Sequence, residues 1–255
     1  MKVVILGGGL GTRLSEDTSV IPKPMVKIGE KPIIWHIMKI YSTQGYNDFI
    51  ICLGHKGDKI KEYFLGLYSD PTKYTINVAL ETVEIRSKDP SDWRILLVDT
   101  GELTMTGGRL KRVKEYIDGD IFMMTYGDGI ANIDLKKLME FHKNHGKKAT
   151  VTAVKPPPRF GTLNIAPDGR VEGFQEKKHH PWINGGFFVL SKSVLDYIDD
   201  DSTPFEGKPI WRLIEEGELF SYLHEGFWRC MDTLSDKHAL EEIWVKDAPW
   251  KIWKD

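Results

Sequence analysis

Residues 1–14 read MKVVILGGGLGTRL, in which a short run of Val, Ile and Leu is followed at once by a glycine-rich turn. A run of this length and composition is typical of a buried β-strand. The next apolar residues, from Ile33 to Tyr41, recur at the spacing of one helix face. This part of the chain therefore predicts a strand, a loop and a helix, with the glycines at the carboxyl end of the strand.

The same alternation continues along the chain. Apolar runs of strand length occupy residues 48–53, 95–98 and 121–125. Apolar residues recur at helical spacing over residues 58–67 and about 108–117. They do so again after Asp134, which is a candidate N-cap for that helix. From about residue 149 the strand candidates lie closer together, at residues 149–154, 162–165, 171–175 and 186–190, which favours antiparallel or mixed pairing. We therefore predict an α/β fold with a mixed, mainly parallel central sheet and helices on both faces.

The remaining elements predict one domain. Short helices are expected at about residues 192–198 and 209–217, a strand near residues 220–224 and a helix at about residues 235–245. No repeat or long linker divides the chain, so we expect a single domain over residues 1–255 with two halves that meet at about residue 148. Trp244, Trp250 and Trp253 indicate that the last segment docks on the core of the chain or on another subunit.

The composition excludes several classes of function. The 255 residues are 41% hydrophobic with a net charge of -2, so no basic excess favours binding to nucleic acid. Apolar runs are far shorter than the roughly 20 residues that span a bilayer, and the first residues form a strand pattern rather than a signal peptide. Cys52 and Cys230 belong to no Cys/His cluster, and His142 and His145 are interpreted as surface residues rather than metal ligands. We expect a cytoplasmic protein with no membrane or nucleic-acid partner and no zinc site.

The turn after the first strand is a candidate phosphate-binding loop. Four glycines in five positions, between Gly7 and Gly11, allow backbone N–H groups to approach an anion, and Arg13 adds a forked cation. Thr12 stands where a dinucleotide-binding fingerprint needs Gly or Ala, and no Gly-Lys-Ser/Thr triplet of a Walker loop is present. The glycines alone leave open a plain turn without a ligand.

Two further residues are placed for work on a phosphate chain. Lys23 lies between Pro22 and Pro24, whose rings restrict the backbone on both sides and would hold the ammonium group at a fixed position. Asp128 follows the run 121–125 at the carboxyl end of a predicted parallel strand, where ligands of open α/β sheets are bound and a carboxylate can hold Mg²⁺. A proline-rich surface loop and a turn aspartate are the plain alternatives for the two residues.

The motifs that carry a family resemblance run over nearly the whole chain. They read GGGLGTRL (7–14), PKPM (22–25), KPIIWHIM (31–38), VDTG (98–101), MTGGRLKR (105–112), YGDG (126–129), FQEK (174–177), INGGFFV (183–189) and WRCMDT (228–233). Together they resemble the sugar-phosphate nucleotidylyltransferases, which have a Rossmann-like fold. The segment 105–112 is similar to the cytidylyl branch, the glucose-1-phosphate cytidylyltransferases.

The resemblance implies a reaction and its substrates. Members of this branch transfer CMP from CTP to α-D-glucose 1-phosphate and release CDP-glucose and pyrophosphate, which supplies nucleotide sugar for surface polysaccharide. Positioning and charge neutralisation dominate such transfers, so Mg²⁺ is the expected cofactor. The resemblance further implies a homo-oligomer, with nucleotide bound by residues 1–148 and sugar phosphate by residues 149–255.

The resemblance also implies roles for individual residues. Asp128 and Asp232 would bind the metal, and Arg13, Lys23 and Lys177 would be catalytic. The nucleotide would be bound by Leu6, Gly7, Gly8, Gly9, Leu10, Gly11, Thr12, Arg13, Lys23, Thr104, Arg109 and Gly127. The sugar phosphate would be bound by Glu176, Lys177, Asn184 and Gly185.

Several alternatives stay open. Arg109 could instead lie on the polar face of the helix that follows it. Family members commonly read Glu-Lys-Pro where this chain has Glu176, Lys177 and Lys178 followed by two histidines, which could decorate a surface loop or meet a different acceptor. UTP or dTTP could replace CTP. A non-catalytic nucleotide-sensing subunit is the remaining alternative, and the retained carboxylates and lysines argue against it.

Overall fold

The computed structural model describes residues 1–9, 21–67, 74–77, 82–86, 93–157, 162–175 and 182–254. Its strands are β1 (Lys2–Leu6), β2 (Lys27–Ile28), β3 (Lys31–Pro32), β4 (Asp48–Leu53), β5 (Tyr74–Asn77), β6 (Thr82–Arg86), β7 (Arg94–Asp99), β8 (Ile121–Tyr126), β9 (Gly129–Ala131), β10 (Ala149–Val154), β11 (Thr162–Ile165), β12 (Val171–Gln175), β13 (Ile183–Ser191), β14 (Leu219–His224) and β15 (Trp228–Cys230). Its α-helices are α1 (Ile33–Ser42), α2 (Gly57–Leu67), α3 (Thr106–Arg112), α4 (Leu135–His145), α5 (Lys208–Glu215) and α6 (Leu234–Lys246). Short 3₁₀ helices occupy Lys23–Met25, Lys114–Tyr116 and Lys192–Tyr197.

Nine of the described strands form one sheet, in the order β14-β10-β13-β8-β1-β4-β7-β6-β5. The four central strands, β8, β1, β4 and β7, run parallel to one another. On one side β13 pairs antiparallel with β8, and β10 pairs antiparallel with β13 and parallel with β14. On the other side the β5–β6 hairpin pairs antiparallel with β7. The prediction of a mixed sheet with a parallel centre is confirmed.

The central sheet is buried on both faces. Along β1, Val3 and Ile5 pack into the cluster that includes residues of α1, α2, α4 and α6, whereas Val4 and Leu6 pack into the cluster that includes residues of α3 and α5. Successive side chains of a strand point to opposite faces, so an unbroken apolar run is what a sheet covered by two helical layers requires. Among the described helices, none is long and apolar enough to cross a membrane.

The predicted elements differ from the structure mainly in their ends, but the sequence did not predict strands β5 and β6. The helix expected at 108–117 starts at Thr106 and ends at Arg112, and a 3₁₀ turn follows it. The segment 192–198 is a 3₁₀ helix rather than an α-helix. Strands β2, β3, β9 and β15 have only two or three residues, too few for an alternating pattern to show in the sequence.

The interpretation of His142 as a surface residue is wrong. It lies in the last turn of α4, is 2% exposed, and its Nδ1 forms a hydrogen bond of 2.9 Å with the Thr150 hydroxyl of β10. His145 bonds the same hydroxyl through Nε2 (2.7 Å) and stacks on Phe220. Burial lowers the pKa of His142 to about 4, so the ring is neutral and serves packing. The prediction that Asp134 caps this helix is confirmed, because its carboxylate accepts from the Lys137 N–H.

The tryptophans near the end of the chain dock on the chain's own core. Trp250 is fully buried and its indole N–H donates to Nδ1 of His36 (3.4 Å), while Trp244 packs edge-on against the same imidazole. Trp253 contacts Trp35 of α1 in the same way. Burial lowers the pKa of His36 to about 4. Of the two alternatives for this segment, the structure shows docking within one chain.

Candidate active site

The glycine turn after β1 is held between the ends of its two neighbouring strands. The Gly7 N–H donates to the Cys52 carbonyl of β4 (3.0 Å), and the Gly127 N–H donates to the Leu6 carbonyl (3.1 Å). A Cβ on Gly127 would lie 2.9 Å from that carbonyl oxygen, so the backbones approach too closely for a side chain. The carboxyl ends of adjacent parallel strands therefore meet at one edge of the sheet, the usual position for a ligand in an open α/β fold.

A cleft of about 570 Å³ opens at this edge. The predicted site residues that line it are Leu6, Gly7, Gly8, Gly9, Lys23, Thr104, Arg109, Gly127, Asp128 and Asp232. Leu10, Gly11, Thr12, Arg13, Glu176 and Lys177 lie outside the described residues, so their roles stay predictions. The described members of the predicted nucleotide and metal sets thus converge on one cleft.

A second cavity of about 220 Å³ adjoins the first and is lined by Asn184 and Gly185. Tyr126, Asp128 and Asp232 line both cavities. The Asn184 amide donates to the Tyr126 hydroxyl (3.1 Å), which ties the second cavity to the shared residues. The two predicted binding regions are therefore neighbours with a common wall.

Lys23 joins the two aspartates of that wall. Its Nζ lies 2.6 Å from Oδ2 of Asp128 and 2.5 Å from Oδ1 of Asp232. The Lys23 side chain is 16% exposed and each aspartate side chain 27% exposed. Burial works against the charge of the ammonium group, but the two carboxylates outweigh burial and hold the pKa of Lys23 above its usual value.

A short strand pair brings the aspartates together although they are far apart in the chain. Asp128 lies between β8 and β9, and Asp232 follows β15, which pairs antiparallel with β9 so that Cys230 faces Gly129. The Met231 N–H then donates to the Asp128 carbonyl (2.8 Å). The next helix, α6, begins directly after Asp232 with a Thr233 cap, which fixes the backbone on that side.

The donor set suits a hard divalent cation. Two carboxylates from different elements already converge on one cationic nitrogen, and Mg²⁺ in proteins is commonly held by one or two carboxylates together with substrate phosphates. Among the described residues, no group of three or more His, Cys, Asp or Glu side chains is arranged to hold a metal by protein ligands alone. Asp128 and Asp232 therefore fit a metal that the substrate helps to bind.

Arg109 lies in the wall of the larger cleft and not on a solvated helix face. It is 4% exposed, and its Nη1 donates to the carbonyls of Leu53 and Gly101, both at 2.8 Å, and to the Thr100 hydroxyl. Its Nη2 donates to the Gly8 carbonyl (2.7 Å). The alternative that Arg109 belongs to the polar face of α3 is wrong, because the guanidinium faces inward and joins the glycine turn to the ends of β4 and β7.

The position of Arg109 explains why glycine stands at positions 8 and 54. A Cβ on Gly8 would lie 2.3 Å from Nη1 of Arg109, and a Cβ on Gly54 would lie 2.4 Å from the same atom. Real side-chain atoms do not approach so closely, and the guanidinium is fixed by its hydrogen bonds. In contrast, a Cβ on Gly9 would meet no atom within 4 Å in the part of the chain that the structure describes.

Three residues of the site were missed by sequence reasoning. The Tyr126 hydroxyl donates to Oε1 of Glu206 (2.5 Å), and the Thr106 hydroxyl donates to Oε2 of the same carboxylate (2.5 Å). Burial, then the neighbouring carboxylate, raises the pKa of Tyr126. Tyr126 directly precedes Gly127 and Asp128, which was an available signal, whereas Glu206 lies in a loop far from both partners in sequence and gave none.

Comparison with known proteins places this geometry in a family. The model of the nucleotidyl transferase family matches residues 2–255. The glucose-1-phosphate cytidylyltransferase of Salmonella typhimurium is 55% identical over 258 residues, which cover 100% of both chains. The probable glucose-1-phosphate cytidylyltransferase of Bacillus subtilis is 45% identical, over 99% of this chain and 100% of that protein.

A solved structure shows the same fold at lower identity. HddC from Yersinia pseudotuberculosis superposes with a TM-score of 0.69 and 26% identity, over 94% of this chain and 98% of that chain. The same Yersinia protein has also been solved in complex with GMP-PN. The likeness in sequence and in fold therefore extends over almost the whole chain.

Proposed function

The chain belongs to the nucleotidyl transferase family, and we propose that it transfers the cytidylyl group of CTP to glucose 1-phosphate, giving CDP-glucose and pyrophosphate. The observation that carries the proposal is the common wall of Tyr126, Asp128 and Asp232 between two adjoining cavities. A transfer between two phosphorylated substrates needs both of them beside one set of charged groups. We call the larger cavity the nucleotide cleft and the smaller one the acceptor cavity.

In this reaction a phosphate oxygen of glucose 1-phosphate attacks the α-phosphorus of CTP, and pyrophosphate leaves. The glycine turn would present backbone N–H groups to the triphosphate, and Leu10, Gly11, Thr12 and Arg13 would extend this contact. Lys23, which lines the same cleft, would neutralise charge on the triphosphate. The main contribution of the protein is to position the substrates and balance their charge.

We propose Mg²⁺ as the metal, with Asp128 and Asp232 as its protein ligands. The support is the convergence of both carboxylates at the wall that the two cavities share. When bound there, the metal would offset the negative charge of the phosphates. The two carboxylates would hold the metal at a fixed position, because the β9–β15 pair fixes the backbone beside both of them.

The base and the sugar would occupy opposite sides of this wall. Thr104 and Arg109 line the nucleotide cleft and are proposed to recognise cytosine. Both terminal nitrogens of the Arg109 guanidinium already donate to main-chain carbonyls, so donation from either to the base would have to replace or share one of those bonds. Asn184 and Gly185 would bind the sugar hydroxyls, with Glu176 and Lys177 on the same side.

The test is pyrophosphate release by the purified protein with Mg²⁺ and glucose 1-phosphate, with CTP, UTP, dTTP, GTP and ATP supplied one at a time. We expect release with CTP and a product with the mass of CDP-glucose. Release with UTP or dTTP alone would overturn the assignment of the base. No release with any nucleotide would contradict glucose 1-phosphate as acceptor and direct attention to Lys178 and the two histidines beside it.

Two further properties are proposed from the resemblance. We expect a homo-oligomer in the cytoplasm, with no membrane or nucleic-acid partner. Sedimentation equilibrium checks the first point, since a single species at the monomer mass of 29.2 kDa would contradict it. Fractionation of cells that express the protein checks the second.

A further inference from the structure

We propose that Lys23 competes with the divalent cation for Asp128 and Asp232, so that the metal binds well only when a triphosphate draws Lys23 away. This inference rests on the metal assignment of the proposed function and concerns the order in which the site is filled. Its basis is the position of one ammonium group between the two carboxylates that would bind the metal.

The two cations would be held by the same two carboxylates. Nζ of Lys23 lies within 2.6 Å of one oxygen of each aspartate, which is about as short as a charge-assisted hydrogen bond becomes. Mg²⁺ held by both aspartates would have to lie between the same carboxylates, because this ion binds its oxygen ligands at short distances. An ammonium ion and a dication cannot both occupy that space, and at such distances in a partly buried site they repel each other strongly. Metal binding therefore requires the ammonium group to leave.

The backbone around Lys23 is held in place by hydrogen bonds and by burial. Lys23 begins a 3₁₀ helix that contains the buried Pro24, and the Met25 N–H donates to the Pro22 carbonyl (2.8 Å). The Val26 N–H donates to the Lys23 carbonyl (3.1 Å), and the Val26 side chain is 1% exposed. Rotation of the flexible lysine side chain would take the ammonium group away from the carboxylates without disturbing these contacts.

The nucleotide cleft offers the ammonium group another partner. Lys23 lines this cleft together with the glycine turn, where the triphosphate is proposed to bind. Phosphate oxygens there would attract the ammonium group and leave the carboxylates to the metal. By linkage, metal and triphosphate should then strengthen each other's binding, and Lys23 would carry part of that coupling.

The test measures binding of Mn²⁺, as a probe for the divalent cation, by the electron paramagnetic resonance signal of the free ion. Without nucleotide, Lys23→Met should bind Mn²⁺ about tenfold more tightly than the unsubstituted protein, because no ammonium group has to be displaced. Lys27→Met is the matched control, since Lys27 is an exposed lysine that lines neither cavity. With a non-hydrolysable CTP analogue bound, the difference between Lys23→Met and the unsubstituted protein should shrink.

A chemical readout checks the movement of Lys23 directly. Mg²⁺ should increase the rate at which an amine-acylating reagent modifies Lys23, measured by peptide mass spectrometry, with Lys27 as the internal reference. Circular dichroism on each variant verifies that it is folded.

The outcomes separate this inference from the proposed function. Equal Mn²⁺ affinity of Lys23→Met and Lys27→Met, or no effect of Mg²⁺ on acylation of Lys23, overturns the competition. Asp128→Asn tests the metal assignment itself and should lose Mn²⁺ binding. If Asp128→Asn binds Mn²⁺ as tightly as the unsubstituted protein, the metal assignment of the proposed function falls, and this inference falls with it.

Discussion

The nucleotide cleft and the acceptor cavity share a wall but are built from different groups. One side of the cleft is main chain, because the glycine turn lies there and Arg109 fixes carbonyl groups of three separate segments around it. The acceptor cavity is lined on its own side by the Asn184 and Trp228 side chains, beside Gly185 and Gly186. A main-chain wall depends on the fold, whereas single substitutions can reshape a side-chain wall. The phosphate chemistry is therefore tied to the scaffold, while the acceptor can change on it.

The largest expected effect comes from the wall that both cavities share. Asp128→Asn should lower kcat by at least about 100-fold, because it removes one of two carboxylates that are proposed to hold the metal. The matched control is Asp168→Asn, in the exposed turn between β11 and β12, where the carboxylate pairs with Arg170 and lines neither cavity. Steady-state kinetics and thermal unfolding check both variants. A normal kcat in a folded Asp128→Asn protein would contradict the role of the shared wall.

The main-chain side of the cleft should be sensitive to an added side chain at Gly8. Gly8→Ala should lower the free energy of unfolding by about 1–3 kcal/mol, because its Cβ would collide with the fixed guanidinium of Arg109. Gly9→Ala, one residue further on, should leave the unfolding temperature nearly unchanged, since its Cβ meets no atom of the described residues within 4 Å. Differential scanning calorimetry compares the two. Equal unfolding temperatures would show that Arg109 does not hold the turn as described.

A substitution among the side chains that line only the acceptor cavity should instead change KM for one substrate. Asn184→Ala removes an amide that lines the acceptor cavity but not the cleft, which should raise KM for glucose 1-phosphate by about 5–10-fold, the value of roughly one hydrogen bond. KM for CTP should change much less. Asn144→Ala, at an exposed position outside both cavities, serves as the control. A rise of equal size in both KM values would remove the distinction between the two sides.

The smallest effect concerns two buried histidines that line neither cavity. Burial lowers the pKa of His36 and of His142 to about 4, below the value of about 6.5 in an unfolded chain. Their contribution to stability is therefore complete above pH 6.5 and is lost as the pH falls toward 4, because the unfolded state takes up the protons first. Each histidine should lower the free energy of unfolding by about 1 kcal/mol as the pH falls from 7 to 5.5.

His36→Gln and His142→Gln should each remove part of this pH dependence. Nε2 of His36 lies 2.9 Å from the Ile28 carbonyl of β2, and His142 bonds Thr150 of β10, two strands from β8. Urea unfolding at several pH values measures the slope for each variant. A slope equal to that of the unsubstituted protein would show that the histidine in question is not held neutral.

The sequence predicts the fold well where elements are long and regular. β4, β10, β11 and β12 have the predicted bounds, because their apolar runs are delimited by polar or turn residues. The sequence predicts poorly the elements that form through contacts between distant segments of the chain. The β9–β15 pair, which brings Asp232 to Asp128, joins segments about a hundred residues apart and is too short to leave a periodic pattern.

Individual residues of the site were likewise predictable only where the local sequence is distinctive. The glycine turn, Lys23 and Asp128 were identifiable because each has an unusual local sequence, such as Pro22 and Pro24 around the lysine. The inward position of Arg109 was not, since helix spacing cannot tell which cation of a basic segment enters the protein. Glu206 was not identifiable either, because its two partners come from β8 and from the start of α3.

The most direct test of the account is a crystal structure with Mn²⁺ and CDP-glucose, in which anomalous scattering locates the metal. We predict a manganese peak bonded to Asp128 and Asp232, with Lys23 drawn from between them by the phosphates of CDP-glucose. The cytidine would lie in the nucleotide cleft and the glucose in the acceptor cavity beside Asn184. Manganese bound away from both aspartates, or glucose in the nucleotide cleft, would contradict the shared wall on which the proposed function is based.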